Sequence, residues 1–138
     1  MLFRTSIRLQ TAFDRRFAEF GITAQEAAAL LLCAEAGETS ARKLAQAMGR
    51  DKGKITRFVD RLEAAHFLTR TRNPQDHRLL IIKPTRRGFR AVPRLRVIFD
   101  RLQEQLFDAI LTQDIDQFAS LLSHLYDNAA RLRAGKDA

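Results

Sequence analysis

SARKLAQAMGRDKGKITRFVDRLEAAHFLTRTRNPQDHRLLIIKPTRRG, residues 40–88, is the stretch on which the fold turns. Ser40 is a good N-cap, ARKLAQAM places Leu44, Ala45 and Met48 on one helical face, and Gly49 supplies the stop. Asp51 then caps a helix over about 52–65, in which Ile55, Phe58, Val59 and Leu62 recur at i, i+3, i+4 and i+7. That stripe is committed to a core, so Lys52, Gly53, Lys54, Thr56, Arg57, Asp60 and Arg61 face outward. LTRTR (68–72) and RLLIIK (78–83) are strand-like runs joined by Asn73-Pro74-Gln75-Asp76-His77, a segment of turn-forming residues. Two short helices around a glycine-containing turn, the second basic on its outer face and followed by a hairpin, form a winged helix-turn-helix.

The charge is concentrated in the same place. Ser40 to Arg90 holds fourteen Lys and Arg against four acids, an excess of +10, whereas the rest of the chain holds ten against twelve, an excess of −2. A block of this kind is what a phosphate-binding surface needs, because its affinity comes from releasing condensed counterions. A recognition helix enters the major groove by its N-terminal end, where Lys52, Lys54 and Arg57 stand. Arg57 has the fork that pairs with guanine O6 and N7 and serves equally to hold phosphate. Lys52 and Lys54 can likewise read guanine or hold phosphate, and Thr56 can offer its hydroxyl to phosphate or its methyl to thymine. Arg61, a turn farther on, is expected at the DNA backbone or in a surface ion pair with Asp60 or Glu63. In the hairpin, Arg70, Arg72 and Arg78 bracket a turn able to lie along a narrow minor groove, with Arg78 the preferred residue there. Asp76 would be repelled by phosphate and is assigned to shaping that turn or orienting an arginine. With Ser40, these ten are the candidate DNA-binding residues.

Working outward, residues 2–20 space Leu2, Phe3, Ile7, Leu9, Phe13, Phe17 and Phe20 as an amphipathic helix ended by Gly21. Thr23 caps a mostly buried helix, with Gln25 and Glu26 in its first turn and Gly37 after it. Beyond the hairpin, Thr85 caps a helix continuing to Ile110 and bent at Pro93, and a last helix runs from near Thr112 to Arg133 with Asp114 and Asp116 at its positive end. The tail AGKDA, 134–138, is expected to fray.

The 138 residues, 46% of them hydrophobic, suit one domain with its own core. The charged N-terminus offers neither a signal peptide nor a membrane span, so a soluble, cytoplasmic protein is expected. The single Cys33 excludes a disulfide framework and, in an apolar run without an adjacent cation, suits a structural thiol. His66, His77 and His124 lack metal-ligand spacing, and no phosphate-cradling glycine loop or nucleophile motif is present. Neither a metal, another cofactor nor an enzymatic activity is therefore expected.

Leu44-Ala45 followed by Gly49, Thr56-Arg57 with Val59-Asp60-Arg61-Leu62-Glu63, Asp76-x-Arg78 and Thr85-x-x-Gly88 together resemble the DNA-binding core of MarR-type regulators. Two positions depart from the family pattern: His66 stands where glycine is usual, and Pro84 where leucine is usual. The resemblance implies a mainly α protomer with a small β-hairpin wing, six helices in the order of four helices, two strands and two helices. It also implies a homodimer through the terminal helices, reading a pseudo-palindromic operator in double-stranded DNA and released, as a repressor, by a small-molecule effector. On that plan 38–85 is the winged lobe, while 1–37 and 86–133 are dimerisation and core helices. Leu2, Phe3, Ile7, Leu106, Ile110, Ile115, Phe118, Leu121, Leu122 and Leu125 are the expected dimer residues, and Phe13 and Phe17 the expected lining of an effector pocket for a small aromatic or phenolic ligand. The competing reading, a winged helix serving as a protein-interaction or RNA-binding module, would expose apolar anchors where this chain exposes Lys, Arg and Thr.

Overall fold

The computed structural model describes residues 1–135, and the last three residues of the AGKDA tail lie outside it. The elements are α1 (Leu2–Phe17), a 3₁₀ turn (Ala18–Phe20), α2 (Ala24–Ala36), α3 (Ala41–Met48), α4 (Lys52–Ala64), β1 (Leu68–Arg72), β2 (Leu80–Pro84), α5 (Arg86–Leu106) and α6 (Thr112–Ala134). Six helices and one hairpin thus follow in the expected order.

Capping residues set most of these boundaries. Thr23 accepts from the Glu26 N–H and the Glu26 carboxylate accepts from the Thr23 N–H, a reciprocal capping box. Ser40 and Asp51 accept from the third residues of their helices, Lys43 and Lys54. Asp14 of α1 reaches the free N–H of Ala24, 2.9 Å, and so fixes where α2 begins.

Two compact units are formed, Met1–Leu102 and a second from Gln103 onward. In the first, Phe17, Leu30, Leu44, Ile55, Val59, Leu62, Leu68, Ile82 and Leu95 make a continuous buried core, so helices of the 1–37 segment and the 38–85 lobe share one interior. The α4 stripe Ile55, Phe58, Val59 and Leu62 is wholly buried, as its spacing required. Phe17, fully buried, packs on Phe99 with ring centroids 4.7 Å apart. Cys33 is buried as well, and burial pushes its thiol up to about 12, which leaves it without thiolate at physiological pH.

Three details differ from the sequence reading. The second strand starts at Leu80, not Arg78, because the Asp76 carboxylate accepts the Arg78 N–H and its carbonyl accepts the Leu79 N–H, holding both in the turn. The hairpin has an extra partner: Thr39 exchanges N–H···O bonds of 2.9 and 2.8 Å with Ile82, a single bridge too short to show as periodicity. The fifth helix stops at Leu106 instead of Ile110, and Ala109 takes φ +62° in the turn that follows.

His66 does take the left-handed conformation, φ +64°, at the end of α4. An L side chain is disfavoured there and glycine is not, so His66→Gly is expected to raise stability by up to about 1 kcal/mol, measured by urea unfolding. Among the described residues no single helix is long and apolar enough to cross a membrane.

Candidate nucleic-acid interface

The α4 face opposite the core stripe carries the candidate contacts. Lys52, Thr56 and Arg57 are exposed and Lys54 is half-buried. All lie in the first two turns, where the N-terminal end of a recognition helix meets base edges. The Thr56 hydroxyl donates to the Lys52 carbonyl, 2.9 Å. Beside α4 a groove of ≈ 540 Å³ lies between α3, α4 and the hairpin, lined by Arg42, Lys43, Lys52, Arg70 and Arg78 among others. Arg42 and Lys43 of α3 were not among the sequence candidates; both are exposed and add to the same positive surface.

Carboxylates divide the arginines into two groups. Arg70 pairs with Asp60 at 2.7 Å and Glu63 at 2.9 Å, and Glu63 also accepts the Arg70 backbone N–H. The hydrogen bond from the Arg70 guanidinium lowers the Glu63 carboxyl from its ordinary value, so this tie persists to a lower pH than that of an unpaired glutamate. Arg61 pairs with Glu26 of α2 at 3.0 Å, and not with Asp60 or Glu63 as the sequence suggested. Neither neighbour was available, since both turn to Arg70. Among the described residues, no carboxylate forms an ion pair with Lys52, Lys54, Arg57 or Arg78.

At the hairpin tip Arg78 is exposed, while Arg72 donates to the His77 carbonyl, 2.8 Å, and braces the turn. Asp76 accepts from the Arg78 N–H, 3.1 Å, and Asn73 from the Gln75 N–H, 2.9 Å. The Asp76 carboxylate thus holds the backbone of the turn and, among the described residues, pairs with no arginine side chain. Ser40 is occupied as the cap of α3.

Away from this face, a shallow, open depression of ≈ 410 Å³ is lined by Phe13, Phe99, Leu32, Met48, Gln25 and Arg50 among others. Phe13 lines it and Phe17 does not, being sealed in the core beside it. The Gln25 Oε1 is buried without a hydrogen-bond partner. Sequence reading passed over Gln25 because a polar residue in a first helical turn is ordinary. Among the described residues no three His, Cys, Asp or Glu side chains gather as a metal site would require.

The expected dimer residues occupy two apolar faces. At the start of α1, Leu2, Phe3 and Ile7 are exposed, Phe3 to 84%. In the second unit Leu106, Ile110, Phe118, Leu121, Leu122 and Leu125 are exposed and Ile115 is half-buried, with Phe107 and Phe118 in ring contact at 6.2 Å. Tyr126 and Leu132, absent from the sequence candidates, extend the same exposure.

Residues 22–80 match the model of the MarR family. The uncharacterized HTH-type transcriptional regulator YcgE of Bacillus subtilis (strain 168) is 40% identical over 50 residues, 36% of this chain and 32% of that protein, so the match spans about a third of that relative. CouR from Rhodococcus jostii RHA1, solved bound to p-coumaroyl-CoA, is 26% identical with a TM-score of 0.76, over 90% of this chain and 87% of that one. The S. aureus MepR–DNA complex superposes with a TM-score of 0.82 at 22% identity, over 92% and 95% of the two chains. The last likeness is one of fold.

Proposed function

We propose, from the premise that residues 22–80 are a MarR-family domain, that this chain is a double-stranded DNA-binding transcriptional regulator acting as a homodimer in the cytoplasm, without catalytic activity. One observation carries the reading: Lys52, Lys54, Arg57 and Arg78 stand on one lobe without carboxylate partners among the described residues, while Arg61 and Arg70 beside them are each held by carboxylates. Unpaired cations at a helix start and at a hairpin tip suit a major groove and the adjoining minor groove. MepR, of like fold, has been solved with DNA. The test is selection of duplexes from a random pool, followed by binding over a salt series with competitor RNA. Enrichment of a pseudo-palindrome with half-sites about one helical turn apart is expected; RNA competing as well as duplex would instead support the RNA-binding module.

The exposed apolar faces support dimerisation, since monomers seldom leave such surface in water. Leu121→Glu with Leu125→Glu is expected to convert a dimer to monomers by light scattering and to weaken operator binding more than a hundredfold. A variant that stays dimeric would move the interface elsewhere.

Repression relieved by a small-molecule effector is the finer reading, and the shallow depression beside Phe13 is the place that would receive one. Its walls are mainly apolar, Arg50 supplies a cation, and the unpartnered Gln25 Oε1 calls for a hydrogen-bond donor. CouR, of like fold, holds an aromatic acyl-CoA.

A further inference from the structure

Glu26 is the one buried charged residue among those described, 1% exposed, and it lies on α2, away from the DNA-binding face. One carboxylate oxygen closes the α2 capping box by accepting from the Thr23 N–H, 2.9 Å. The other holds Arg61 Nε at 3.0 Å, although the Arg61 side chain is 60% exposed and the Glu26 side chain 2%. Capping alone needs neither the second contact nor a charge, because glutamine closes the same box. A carboxylate so far removed from water is costly unless paired, and the partner it takes is drawn from the outer face of α4.

We infer that Glu26 is a positioning residue for the recognition helix and that Arg61 is its strut, not a DNA ligand. The inference rests on the DNA-binding reading. The anchor is fixed: Thr23 caps α2, and Asp14 of α1 holds the Ala24 N–H next to it. The opposite flank of α4 is tied in the same manner, Asp60 and Glu63 holding Arg70 of β1. Apolar packing of Ile55, Phe58, Val59 and Leu62 seats α4 but has no direction, so it tolerates rotation and sliding that hydrogen-bonded ion pairs do not. Arg61 lies roughly 13 Å along the helix from Lys52. A small change of tilt at the strut therefore displaces the N-terminal contacts that must meet base edges, while phosphate contacts adapt.

The test uses the full chain with two probes, a 30-bp duplex selected by the wild-type protein from a random pool and a scrambled duplex of the same composition. Glu26→Gln, which keeps the capping box, and Arg61→Ala are each expected to lower the preference for the selected duplex at least tenfold. Affinity for the scrambled duplex and its salt dependence stay unchanged. The double variant loses no more than either single one, because both remove the same link. A salt slope lowered by about one in Arg61→Ala would overturn the inference by making Arg61 a phosphate contact. Additive losses, or an unchanged preference in either variant that melts as a folded protein, would overturn it too. Failure of the wild-type protein to enrich any duplex would instead remove the DNA-binding reading itself.

Discussion

Gly88→Ala is expected to lower stability by about 3 kcal/mol, a fall in Tm on the order of 10 °C. A Cβ on Gly88 would overlap the Phe67 carbonyl oxygen, stand 3.2 Å from its carbon and meet Leu30 Cδ1 at 3.4 Å. The obstacle is backbone, which cannot rotate away. That carbonyl also accepts the Thr85 N–H at 3.0 Å, while the Thr85 hydroxyl donates to the His66 carbonyl at 2.6 Å and accepts from the Gly88 N–H at 3.0 Å. Moving Phe67 would undo the junction at which α4, β2 and α5 are joined. Urea unfolding checks the value; wild-type stability in Gly88→Ala would mean that α5 can withdraw from Phe67 at no cost.

Arg57→Ala is expected to weaken operator binding by about 10- to 100-fold for each copy engaged, and by the product of two such losses in a dimer. The chain itself should fold as before, because Arg57 is exposed and makes no ion pair among the described residues. Arg78→Ala is expected to act similarly at the hairpin. The two differ in what they lose: a base-edge contact relaxes sequence preference at one position, whereas a phosphate contact lowers all affinities and reduces the salt slope by about one. Selected and scrambled duplexes, titrated over salt, separate these roles. Wild-type affinity in both variants would remove this face from the interface.

Most of the fold was legible in the sequence because its decisive signals are local. Thr23, Ser40, Asp51 and Thr85 each cap the helix that their position announced, and the α4 stripe faces the core that its period demanded. What escaped reading depends on residues far apart in the chain. Glu26 was legible only as a first-turn residue of α2, and nothing local links it to Arg61 thirty-five positions away; the Thr39–Ile82 bridge is likewise a single long-range pair. The candidate site divided along the same line. Lys52, Thr56 and Arg57 follow from helical phase alone, whereas the engagement of Arg61 and Arg70 depends on which carboxylates the tertiary fold brings near. The end of α5 at Leu106 also gave no warning, since Ala109 adopts a conformation that sequence ordinarily marks with glycine or asparagine.

The hairpin is tied at its middle and at its base, by Thr39 against Ile82 and by Thr85 against His66. These ties fix the stem from which the tip with Arg78 extends. On the DNA-binding reading, a wing so anchored would work as a caliper between one groove and the next. Sequences would then be sorted by how readily their grooves adopt that spacing, including at base pairs no side chain touches.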